Sequence, residues 1–149
     1  MIAIETASIY SEESEYLMGS LSQTLALITG SSGQANFNAA SLDSPGSLWA
    51  LARNEAGKAV GCGGLRPLTA NTAELKRMYS DQSEPDIGRA LLTFLETSAK
   101  SLGYTALCLE TRHVNHRAVR FYKANSYMLI DNYGPYVGRP EAACFSKKL

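Results

Sequence analysis

The sequence predicts an α+β (mixed α/β) fold: one mixed, mostly antiparallel sheet flanked by helices, in a single domain spanning residues 1–149. Three observations predict it. Strand-like runs at 47–53, 58–66 and 73–79 follow one another, and the turn Asn54-Glu55-Ala56-Gly57 joins the first two as a hairpin, which a doubly wound parallel sheet does not contain. Ile87, Leu91, Phe94, Leu95, Ser98 and Leu102 fall on one face of a helix that Gly103 stops. A chain of 149 residues can bury one core and is too short for two ordinary domains.

Residues 2–5 form a first strand. Ser11 caps the next helix with its hydroxyl, Glu12 and Glu13 favour the positive end of its dipole, and the helix continues to about Leu27 or Ile28. Gly30-Ser31-Ser32-Gly33-Gln34 ends it, and a polar, turn-rich connection with Phe37 as its only aromatic runs to Pro45-Gly46. After the three-strand run and the helix from Ile87, residues 106–110 read as a buried strand and 115–124 as a helix. Residues 128–130 and 142–148 supply two last strands.

Lys plus Arg equals Asp plus Glu at 14 each, so no basic field exists to draw in nucleic acid, and the expected partners are small molecules or proteins. The start Met1-Ile2-Ala3-Ile4-Glu5 lacks the pattern of a signal peptide, and no apolar run approaches the ~20 residues of a membrane span. A cytoplasmic protein with no membrane partner is expected. Cys62, Cys108 and Cys144 are far apart and set among strand-like apolar residues, as reduced core thiols are. His113 and His116 have no carboxylate or cysteine at ligand spacing, so no metal is expected.

The most informative stretch passes from the strand-like Glu74-Leu75-Lys76-Arg77-Met78-Tyr79 through Ser83-Glu84-Pro85-Asp86 into the amphipathic helix at Ile87-Gly88-Arg89-Ala90. The free N–H groups of a helix's first turn, with the positive end of its dipole, bind phosphate where small residues let a ligand reach the backbone. Gly88 suits that use. Downstream, Asn115-His116-Arg117-Ala118-Val119-Arg120-Phe121-Tyr122 precedes Lys123-Ala124-Asn125-Ser126-Tyr127.

These segments resemble the GNAT superfamily of N-acetyltransferases. The first is similar to its Gln/Arg-x-x-Gly-x-Gly/Ala motif, with Ser83 at the first position, Asp86 at the middle glycine and Gly88 at the last. The second is similar to Asn-x-x-Ala-x-x-x-Tyr-x-x-x-Gly-Phe/Tyr, with Ser126 at the glycine. The resemblance covers about residues 74–149. It implies an acetyltransferase that uses acetyl-CoA as co-substrate, without a metal, and passes the acetyl group to a primary amine of a small or amino-acid-like acceptor by direct attack. Homodimers are common among such relatives.

By the same resemblance, Asp86, Ile87, Gly88, Arg89 and Ala90 receive the diphosphate, and the strand backbone at Met78 and Tyr79 pairs with the pantetheine arm. Asn115 and Ala118 contact the coenzyme, Asn115 being also a favoured helix cap. Tyr122 lies near the sulfur as proton donor. Glu74 and Glu110 are the carboxylates placed to reach the space between two splayed strands as general base, where many relatives use a water chain instead. Tyr133, Tyr136 and Arg139 belong to a loop that closes over the acceptor, Arg139 being suited to a carboxylate.

Asp86 puts a carboxylate where relatives have glycine, and two unit charges ~5 Å apart at an effective dielectric near 20 repel by about 3 kcal/mol. Two arrangements relieve this: Asp86 capping the helix with its carboxylate turned away, or Arg89, Lys76 or Arg77 offsetting its charge. The alternative to an active enzyme is a GNAT-like domain serving as an acyl-CoA sensor or protein-interaction module.

Overall fold

The sheet is built outward from the central hairpin. β2 (Leu48–Arg53) and β3 (Ala59–Pro67) pair antiparallel, β1 (Ala3–Thr6) joins β2 at one edge, and β4 (Thr72–Ser80) pairs antiparallel with β3. The structure, a computed structural model, describes residues 1–34 and 37–149, so positions 35 and 36 of the connection predicted after the first helix lie outside the described residues. β5 (Ala106–Arg112) lies parallel to β4, and β7 (Ala142–Lys148) runs antiparallel between β5 and the edge strand β6 (Met128–Ile130). The order is β1-β2-β3-β4-β5-β7-β6, a mixed and mostly antiparallel sheet as the sequence predicts.

Helices cover both faces because the strands alternate apolar residues to both. Trp49, Leu51 and Cys62 pack with Leu17 of α1 (Glu12–Thr29) on one face. Ala50, Ala52, Val60 and Leu65 pack with Ile87, Leu91 and Leu95 of α2 (Ile87–Ser101) on the other. Tyr122 of α3 (His116–Ala124) and Phe145 belong to this second cluster. α1 is fixed by its start: Ser11 caps it by accepting from Ser14 N, and Trp49 Nε1 donates to Ser14 Oγ at 2.9 Å. Gly61 brings α2 onto the sheet, since a Cβ there would stand 2.8 Å from Ile87 Cγ2.

One predicted core position differs. Leu102 is 47% exposed beyond the helix end, while Leu92 and Ala99, absent from the predicted face, are buried. The helix closes at Ser101 with Leu102 as its C-cap, so the last turn no longer carries the periodic stripe.

Two departures from regular structure matter for the site. Between Cys62 and Gly64 of β3 the register of β4 slips by one residue, and Arg77 takes φ 55°, a β-bulge in β4. β4 pairs with β5 only from Thr72/Ala106 to Glu74/Cys108, although β4 runs to Ser80 and β5 to Arg112. Beyond Glu74 the two strands splay and leave a wedge between them.

Candidate active site

At the end of β4 lies a cleft of about 740 Å3 whose walls come from α1, the end of β4, the first turn of α2 and one face of α3. Met78 and Tyr79 line it, as do Asp86, Ile87, Gly88 and Arg89. The first bond of the α2 ladder is Ala90 N to Asp86 O at 2.9 Å, so the N–H groups of Ile87, Gly88 and Arg89 precede the ladder at the cleft's rim. Ala90 itself is not part of the wall. A Cβ at Gly88 would lie 3.3 Å from the Phe121 ring, so this glycine also lets α3 close on α2.

Asp86 occupies the N-cap position at φ 68° and ψ 10°, without a side-chain capping bond. This corrects one expected relief of its charge. Capping side chains work from the extended region, which Asp86 does not occupy. Of the expected counter-charges, none forms an ion pair with Asp86 among the described residues, Lys76 and Arg77 are turned to other partners, and Arg89 lines the same cleft as Asp86. Lys76 stands 3.8 Å from Glu74, and Arg77 binds α1. Left-handed backbone is what glycine adopts without cost, which explains physically why a glycine suits this position.

α3 presents Asn115, Ala118 and Tyr122 to the cleft. Asn115 is its cap, Oδ1 accepting from Ala118 N at 3.3 Å. The Tyr122 ring is held edge-on by Phe121 at 5.2 Å and Tyr127 at 5.6 Å, while no hydrogen-bond partner of its hydroxyl appears among the described residues. Burial pushes this phenol well above its ordinary range, so it stays protonated. Ser126, at the motif's glycine, adopts φ 74° and lets Tyr127 N reach back to Tyr122 O at 3.0 Å.

Beside the cleft lies a second, smaller cavity of about 120 Å3, and Leu21 and Leu25 of α1 line both. Lys76, Arg77, Glu110, Arg112 and Tyr136 contribute its polar wall. The two carboxylates predicted for this region have different surroundings. Glu74 is 1% exposed and fully engaged: Oε1 accepts from Arg66 Nε at 2.9 Å and Oε2 from the Tyr133 hydroxyl at 2.5 Å. It lines neither cavity. Glu110 does line the smaller one; its Oε2 has no hydrogen-bond partner, with Arg112 Nε at an ion-pair distance of 3.4 Å. Burial pushes its carboxyl up to about 7, against the opposing pull of Arg112 and Lys76.

The loop between β6 and β7 divides its predicted residues. Tyr136, in a 3-10 turn at Gly134–Tyr136, lines the small cavity and accepts from Lys76 Nζ at 2.9 Å. Tyr133 packs edge-on against it at 5.5 Å and serves Glu74. Arg139 is exposed and lines neither cavity, because the turn carries the following residues outward. Arg112 and the α1 residues were not singled out by the sequence. The signal for Arg112 was present, since positions two apart on a strand share a face and Glu110 precedes it by two.

The cleft beside the start of α2 and the smaller charged cavity thus share the wall that Leu21 and Leu25 supply. The sequence model of the acetyltransferase (GNAT) family matches residues 8–127. The chain belongs to the GNAT acetyltransferase family. An IAA acetyltransferase of Azospirillum brasilense is 30% identical over 102 residues, covering 66% of this chain and 67% of that relative. Among solved structures, one assigned as an acyl-CoA N-acyltransferase from Klebsiella pneumoniae aligns over 100% of this chain and 98% of its own, with a TM-score of 0.84 and 24% identity. A GNAT family acetyltransferase of Elizabethkingia anophelis with acetyl-CoA bound aligns over 99% of this chain and 98% of its own, with a TM-score of 0.72 and 19% identity. At these identities the structural likenesses establish the fold alone.

Proposed function

We propose that this GNAT protein transfers the acetyl group of acetyl-CoA to the primary amine of a small acceptor by direct attack, with Glu110 as general base. The observation that carries this reading is the state of Glu110: a largely buried carboxylate whose Oε2 has no hydrogen bond, on a cavity that shares the Leu21 and Leu25 wall of the coenzyme cleft. A base held near pH 7 takes a proton from an incoming ammonium and is not fully protonated at working pH.

The residues fit the coenzyme. The leading N–H groups of α2 and the dipole behind them suit a diphosphate, and the unpaired edge of β4 beyond Glu74 offers backbone to an extended amide arm. Bound acetyl-CoA supplies an acetyl thioester. Glu110 takes one proton from the ammonium and releases it to solvent; the neutral nitrogen bonds to the acetyl carbon as the carbon–sulfur bond breaks, Glu110 takes the second proton that this nitrogen sheds, and the coenzyme leaves as a thiolate to which Tyr122, which keeps its own proton, donates a hydrogen bond.

Calorimetric titration with acetyl-CoA, followed by thiol release with an amine panel, tests the proposal. Wild-type protein is expected to bind at micromolar Kd and to turn over at least one small amine. Tyr122→Phe is expected to lower kcat about 100-fold with little change in affinity for acetyl-CoA, as loss of one donor at a charge-bearing atom does. An absence of binding would favour the alternative of a domain that has kept the fold and lost the coenzyme.

A further inference from the structure

The small cavity carries a charge imbalance that acetyl transfer alone does not explain. Glu74 is already engaged with Arg66 and Lys76, and Glu110 pairs with Arg112. Arg77 is different. Its guanidinium donates to Met18 O at 3.0 Å, Ser32 O at 3.2 Å and Ser22 Oγ at 2.5 Å, all neutral acceptors, and it lies over the Phe37 ring at 5.2 Å. Among the described residues no carboxylate pairs with it, and its Nε is buried without a partner.

Only two buried side-chain polar atoms among the described residues lack a hydrogen bond, Arg77 Nε and Glu110 Oε2, and both side chains form the wall of this one cavity. Buried charges are ordinarily paired, and a cavity wall that holds one carboxylate beside two guanidiniums, one of them with no carboxylate of its own, carries an excess of positive charge that the anionic group of a ligand would balance. Arg112 adds a further guanidinium, 24% exposed, whose one ion pair among the described residues is with Glu110.

Resting on the acetyl-transfer reading, we propose that the acceptor is a small amino acid, seated with its amine on Glu110 and its carboxylate against Arg77 and Arg112. Planar guanidinium groups suit a carboxylate. A second ammonium in that position would face Arg77 and Arg112, so diamines and polyamines are rejected by like charge as much as by the small volume. Arg139, the residue whose type first suggested a carboxylate partner, lies outside the cavity and is not needed.

The test uses matched pairs that differ by the carboxylate alone: glycine with methylamine, L-alanine with ethylamine, and L-serine with ethanolamine. Thiol release from acetyl-CoA is followed for each, with putrescine as a dication. The expected result is a kcat/KM at least 10-fold higher for the amino acid of a pair, falling toward parity in Arg112→Gln. Equal or better turnover of the decarboxylated amines or of putrescine by the wild type would overturn the amino-acid assignment and leave acetyl transfer standing. So would an undiminished preference in Arg112→Gln. Binding of acetyl-CoA with no thiol released by any amine would overturn acetyl transfer itself, and this assignment with it.

Discussion

Glu74 and Glu110 are the same residue type on neighbouring strands, and their neighbours alone separate their roles. Both oxygens of Glu74 hold partners, Arg66 on one and Tyr133 on the other, whereas Glu110 is buried with one oxygen free of hydrogen bonds and only an imperfectly aligned Arg112 at ion-pair distance. Glu110→Gln is therefore expected to lower kcat/KM by about 100-fold or more. In the wild type, kcat/KM should rise with pH through an apparent pKa near 7, and this limb should vanish in the variant. Stability should move the other way. The folded-state pKa lies above the ordinary carboxyl value near 4.5, so the stability this carboxyl contributes is present below about pH 4.5 and is lost as pH rises through about 7. Thermal melts should show Glu110→Gln gaining on the wild type at pH 8, by up to ~3 kcal/mol less the cost of an unpaired amide, with no gain at pH 4.5. A flat pH–rate profile across pH 6–8 would remove Glu110 from the role of base.

At the scale of elements, the α2 start shows what a sequence motif does and does not convey. The order of strands and helices, the capping of α1 by Ser11 and the placement of Gly88 were legible because hydrophobic period and local capping chemistry are properties of adjacent residues. The backbone state of Asp86 was not, since φ 68° is imposed by the turn from β4 into α2 and not by the residue's own preference. The bulge at Arg77 was hidden for the same reason: it shows only in the register of β4 against β3. Asp86→Gly removes a non-glycine residue from left-handed backbone and a carboxylate from the coenzyme cleft. It is expected to stabilise the protein by up to ~1 kcal/mol and to tighten acetyl-CoA about tenfold, less than the hundredfold of a shielded charge because Asp86 is exposed to water. Unchanged affinity in calorimetry would mean that the carboxylate points clear of the diphosphate.

At the scale of the whole molecule, the splay that makes the site also weakens the sheet. β4 and β5 share only the pairings from Thr72/Ala106 to Glu74/Cys108, so the half of the sheet from β1 to β4 and the half from β5 to β6 are joined by few backbone bonds. Glu74 stands at the last of these pairings and compensates with side chains. It takes Arg66 from β3 and Tyr133 from the loop beyond β6, while the adjacent Lys76 reaches the Tyr136 hydroxyl. A carboxylate that ties three segments in this way reads from sequence as a candidate base, because strand position is legible and long-range partners are not. Removing it strands Arg66 and the Tyr133 hydroxyl, and breaking a buried ion pair from one side costs about 3–5 kcal/mol. Glu74→Ala should accordingly lower Tm by on the order of 10 °C. Glu74→Gln, which keeps an acceptor for Tyr133, should fall between the two proteins. A Glu74→Ala melt within ~2 °C of the wild type would show that the two halves are held by packing alone.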